Sequence, residues 1–119
     1  AYNNQPDNKK YVVFKKTAEV ALPSQIFTFI EIFPDSICRP MFGMNMDSQA
    51  IYHTPASFHG QVSNMAFADG HAEVHKWRDP NFNNPKPPPP DWHNHGGIMI
   101  KASSKDDLQW LKDHATVRR

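Results

Sequence analysis

The segment Gln61 to Trp77 (QVSNMAFADGHAEVHKW) constrains the fold more than any other part of this 119-residue chain. Asp69-Gly70 stands between two runs in which apolar and polar residues alternate. Asp-Gly is a preferred pair for a two-residue type I′ hairpin turn, which needs positive φ at both central positions. That turn predicts the pairs Ala68 with His71, Ala66 with Glu73 and Asn64 with His75. Met65, Phe67, Ala72 and Val74 then share the core face. Ala66, Ala68, His71, Glu73, His75 and Trp77 share the other. Register follows the turn, so a different loop length would change every pair.

The remaining segments are read around that hairpin. Residues 1–10 are a polar N-terminal segment, and Tyr11 to Phe14 is a short β-type run. Gln25 to Phe33 (QIFTFIEIF) is largely apolar on both faces, which suits a strand covered on two sides. Pro34-Asp35-Ser36 breaks it. Arg39 to Gln49 reads as a turn or weak strand. Asp79 to Asp91 holds six prolines in thirteen residues, with Pro87 to Pro90 in a polyproline II stretch. Residues 79–97 are therefore a Pro/His-rich loop. Ile98 to Ile100 forms a short strand. Ser104 to His114 reads as a helix with Ser104 as N-cap, Asp106 and Asp107 in the first turn, and Leu108 and Leu111 on one face. The length suits a single domain over residues 1–119. Its class is α+β and β-rich: a small antiparallel sheet, a Pro-rich loop and a short C-terminal helix.

Composition narrows the function classes. Thirteen basic against twelve acidic side chains give a net charge of +1, which offers no electrostatic reason to expect nucleic acid. No apolar run approaches the roughly 18 residues of a transmembrane helix, and no signal-peptide pattern opens the chain. The single cysteine, Cys38, excludes an internal disulfide and a multi-cysteine zinc site; it reads as a small buried hydrophobe.

Histidine is the residue in excess, at positions 53, 59, 71, 75, 93, 95 and 114. His71 and His75 share a strand face, but about 13 Å separates residues four apart along a strand, so they do not chelate one ion as a pair. His93 and His95 converge if their segment is extended. With Asp69 they are the candidate ligands for a divalent metal ion, calcium or zinc, against the simpler reading of surface imidazoles. His59 and Asp69 are roughly 33 Å apart in an extended chain, which argues against a catalytic dyad. No glycine-rich phosphate loop and no Gly-x-Ser-x-Gly motif occurs. No catalytic residue is assigned.

His59, nine intervening residues and Asp69-Gly70 form an H-X9-DG signature. With Pro55 to His59, Phe67 to Pro80, Phe29 to Ile37 and Asp106 to Leu111 in order, it resembles the C-terminal region of prepilin-like proteins with a type II secretion pseudopilin-type N-terminus, found in Planctomycetes, Verrucomicrobia and related bacteria. The resemblance spans residues 23–114. The chain departs from it at Ile32-Phe33, where relatives carry an acidic residue and His, and at Cys38-Arg39, where Asn-Asp is common. The family's N-terminal hydrophobic anchor helix has no counterpart in these residues. The resemblance implies a non-enzymatic, extracytoplasmic head of a type II secretion or type IV pilus-like filament, in the periplasm or at the cell surface. Its family-motif residues are His59, Asp69 and Gly70. Its partners would be copies of itself or other pseudopilins, meeting through an apolar face that includes Phe27, Phe29, Met65, Phe67 and Val74. Membrane attachment would come only through the family's anchor helix. The alternatives are a surface binding module holding a metal ion or a glycan through its histidines, Trp77 and Trp92, and a metal-dependent hydrolase using His59, Asp69, His71 and His75.

Overall fold

The computed structural model describes residues 10–37, 41–87, 98–99 and 105–117. It shows a small α+β domain with a three-stranded antiparallel sheet and short helices. In chain order the elements are β1 (Phe27–Ile30), β2 (Ala50–Ile51), β3 (Val62–Phe67), β4 (Ala72–Lys76), α1 (Pro80–Asn83), β5 (Ile98–Met99) and α2 (Lys105–Asp113). The main sheet has the order β1-β3-β4, and β2 pairs with β5 in a separate two-stranded ladder. Short 3-10 turns lie at Thr17–Glu19 and Pro34–Ser36.

The β3–β4 hairpin forms where expected, but its turn is one residue longer. The Gly70 N–H donates to the Phe67 carbonyl at 3.0 Å, and the Phe67 N–H to the His71 carbonyl at 2.9 Å. The loop is therefore Ala68-Asp69-Gly70, with Gly70 at φ +93° as the left-handed bulge residue, the usual geometry of three-residue hairpins. The ladder pairs Ser63 with His75, Met65 with Glu73 and Ala66 with Ala72. This corrects the predicted pairs. The longer loop slips the register by one and turns every β4 side chain over. His71, His75 and Trp77 join the face of Ser63, Met65 and Phe67, while Ala72 and Val74 look outward.

β1 is shorter than the predicted strand and is not covered on two sides. Its register shifts between Phe27 and Phe29: Phe27 pairs with Phe67, Phe29 with Ala66 and Ile30 with Met65. Such a bulge breaks strict alternation, so Phe27 and Ile30 both pack on the core while Phe29 points away. Tyr11 is buried, and Val12 donates its N–H to the Val117 carbonyl at 3.0 Å. Val12 to Phe14 does not form a strand.

The core lies between the inner sheet face and α2. Met65, Phe67, Trp77, Phe82, Leu108 and Leu111 are buried together with Met44 and Ile51. Leu108 and Leu111, three residues apart on α2, supply its apolar stripe, and Asp106 and Asp107 occupy its first turn as predicted. The start of the Pro-rich stretch is helical rather than loop: Pro80, with φ preset, opens α1 and places Phe82 in the core. Ser104, Cys38 and most of the polyproline stretch lie outside the described residues.

Two outcomes check this geometry. Gly70→Val lowers the free energy of unfolding by about 1–2 kcal/mol, the penalty of a left-handed L-residue, although a Cβ there meets nothing within 4 Å. Phe67→Ala costs about 3–5 kcal/mol, whereas Val74→Thr stays within about 0.5 kcal/mol. The predicted two-residue turn would have made both positions core. Urea denaturation of the variants measures each.

Candidate functional site: the hairpin and its two faces

The family-motif residues bracket β3. His59 lies exposed in the turn before the strand, where Gly60 and Gln61 adopt positive φ of +73° and +67°. Asp69 and Gly70 lie beyond the other end of the strand. About 20 Å of extended chain separates the two ends, so His59 and Asp69 are not brought together. At this position the motif shapes turns: Gly60 and Gln61 lead into β3, with the Gln61 carbonyl accepting from the Trp77 N–H at 2.9 Å, and Gly70 closes the hairpin.

Asp69 organises the tip. Its N–H donates to the Pro23 carbonyl at 3.1 Å, and its Oδ1 accepts from the His71 N–H at 3.1 Å. The same oxygen meets His71 Nδ1, while His71 Nε2 reaches Glu73 Oε1 at 3.1 Å. Both ring nitrogens face carboxylates, and an ionised carboxylate only accepts, so the arrangement suits the imidazolium. Hydrogen bonds that the ring makes to Asp69 and then to Glu73 raise the His71 pKa above its ordinary value. The backbone and side chain of His71 hold the Asp69 carboxyl below its own. The His71 ring also stacks on Phe67, with centroids 4.6 Å apart.

Beneath α2, the inner face carries a run of rings. His114 stacks on Trp110 at 4.2 Å, and Trp110 stacks on His75 at 3.8 Å. His75 meets Trp77 edge-on at 4.5 Å, and Trp77 stacks on Phe82 at 5.2 Å. Trp77 Nε1 donates to Ser63 Oγ at 2.7 Å, and that buried hydroxyl donates to the Ala56 carbonyl. Asp107 Oδ2 accepts from the N–H groups of Arg78 and Asp79, each at 2.9 Å, fixing the chain where β4 gives way to α1. Asp79 has its pKa raised, chiefly by burial, with repulsion from Asp107 adding to it and a bond from the Asp107 N–H opposing it. Asp107 Oδ1 stands 3.6 Å from His75 Nε2.

The outer face differs in character. Phe29 is 75% exposed and Val74 62%. They share this face with Val62, Ala66 and Ala72 by register. Its polar margin includes Lys76 and the Glu31–Asn64 contact, in which Glu31 accepts from the Asn64 N–H at 3.1 Å. The expected apolar face is thus divided. Phe27, Met65 and Phe67 are covered by the chain itself, and only Phe29 and Val74 of that set are open. The β1 bulge and the hairpin register, neither legible in the alternation, concealed this surface.

His93, His95 and Trp92 lie outside the described residues. Among the described residues, no group of three His, Cys, Asp or Glu side chains is placed to hold a metal ion. Asp69, the described member of the candidate ligand set, is engaged by His71.

Ser63→Ala tests the inner face. It strands the Trp77 indole N–H and the Ala56 carbonyl in a buried position. A loss of about 1–3 kcal/mol in unfolding free energy follows, measurable by denaturant titration followed through tryptophan fluorescence.

In comparisons with known proteins, no family model, no curated protein and no solved structure matches this chain.

Proposed function

We propose that this domain is the globular head of a pseudopilin-like subunit, working outside the cytoplasm in a type II secretion or type IV pilus-like filament. The observation that carries the reading is the open apolar face of the sheet. A three-stranded sheet with one face closed by α2 and the other presenting Phe29, Val74, Val62, Ala66 and Ala72 has a second surface suited to packing against something apolar. In the family that the H-X9-DG residues resemble, pilin heads pack a short sheet against a hydrophobic helix, and subunits bury apolar surface against copies of themselves. The motif residues agree with such a role. Gly70 and the turn at Gly60 build the sheet, and Asp69 pins the hairpin tip, so the signature supports a scaffold.

The test is cross-linking in the producing cell. With Cys38→Ser as background, a cysteine placed by Val74→Cys should give a cross-linked dimer, because the face is buried between subunits and each chain then carries one thiol. Phe29→Asp should abolish that dimer while leaving the unfolding free energy of the domain within about 0.5 kcal/mol of its starting value, as Phe29 is exposed. An undiminished cross-linked dimer in the Phe29→Asp variant would remove the outer face from assembly. No cross-linked species at all would remove the filament reading itself.

A further inference from the structure

His75 is a titratable side chain enclosed between the hairpin and α2. Its side chain is 17% exposed. Its Nε2 is buried and has no hydrogen-bond partner. One face of the ring is covered by Trp110 at 3.8 Å, and Trp77 abuts it edge-on. Charged and titratable groups approach from each side. From α2 comes Asp107, whose Oδ1 is 3.6 Å from Nε2, and from the turn that follows α2 comes His114, which stacks on Trp110. Arg78 follows on the chain beyond β4, and Asp79 accepts from the Asp107 N–H at 3.4 Å. Glu73, two residues back on the same strand face, is bonded to His71. β3 presents neutral Ser63 opposite.

The enclosure does not solvate an imidazolium well. The separation of 3.6 Å is too long for a hydrogen bond to the single nearby carboxylate, and that carboxylate also holds two backbone N–H groups. We propose that His75 is an acid-sensitive latch: its protonation in mildly acidic conditions releases α2 from the hairpin face while the β3–β4 ladder stays paired. Undocking α2 removes Trp110 from the ring and lets water reach it.

The direction follows from linkage. Burial lowers the His75 pKa, outweighing the opposing pull of Asp107, with His114 and Arg78 adding to the lowering. The α2-released state therefore binds more protons between the folded value and the ordinary value of about 6.5. Docking is at full strength above that ordinary value and weakens as pH falls through the window.

The test is amide hydrogen exchange on the intact chain across about pH 7.5 to 4.5, corrected for intrinsic exchange, alongside imidazole titration by NMR. Protection at Leu108 and Leu111 should begin to fall near the ordinary imidazole value, by at most about tenfold per pH unit inside the window, and level off where His75 titrates in the docked state. Protection at Met65 should hold. His75→Phe, which keeps the stack on Trp110, should make α2 protection independent of pH, and His114→Gln should leave the response in place. The proposal is overturned if α2 and β3 lose protection together, if α2 gains protection in acid because Asp107 closes on the ring, or if His75→Phe keeps the response. Should that variant fail to fold, a wild-type α2 protection that stays flat over the interval just above the docked-state His75 titration, or that changes only below it, is sufficient to overturn it.

Discussion

The left-handed backbone at Gly70 is the constraint on which the rest of this structure depends. It allows a three-residue loop rather than a two-residue one, and loop length sets register. Register in turn decides which β4 side chains meet α2 and which meet solvent. Through it Trp77 and His75 enter the inner layer and Val74 leaves it. A left-handed L-residue costs roughly 1–2 kcal/mol, which is a small local penalty. Its structural leverage is large because a one-residue slip reverses a whole strand.

The inner layer that results is unusual in composition rather than in size. Aliphatic contacts from Met65, Leu108 and Leu111 are joined by stacked rings that include imidazoles. The polar atoms these rings bring inside need partners. Trp77 finds one in Ser63, and the Ser63 hydroxyl in turn donates to the Ala56 carbonyl. His75 does not complete the pattern, and this gap makes it the responsive member. His71, four residues away on the same strand face, has the opposite arrangement: only half-buried, with both nitrogens against carboxylates. Acid favours the charged His71 ring and disfavours enclosure of His75, so the two histidines oppose each other in any pH profile.

Much of this fold was legible in the sequence. The hairpin, the β5 strand and the C-terminal helix with its acidic first turn and leucine stripe follow from turn chemistry, the helix dipole and periodicity. The α+β class follows with them. What alternation could not reveal were its own interruptions. The bulge in β1 puts Phe27 and Ile30 on one side although their spacing is odd, and the extra loop residue moves His75 and Trp77 inward. Both are single-residue insertions into a period of two, and no composition signal marks them. The helix at Pro80 to Asn83 was hidden by the proline density around it, although a proline at the first helical position favours a start. For the candidate site, His59, Asp69 and Gly70 were legible as a motif. Their role at turns, and the outer face with Phe29 and Val74, required the register.

The pairing between the two ends of the described chain has a consequence for folding order. Thr116 Oγ1 donates to the Val12 carbonyl at 2.5 Å across 104 positions. Closing so long a loop in an otherwise open chain carries roughly 4 kcal/mol of length-dependent entropy, far more than one such hydrogen bond returns. The contact becomes favourable only after the hairpin and α2 have already shortened the path between its partners. It belongs late in folding, as a seam sealed over a sheet already built, and its opening is an early event on the way out.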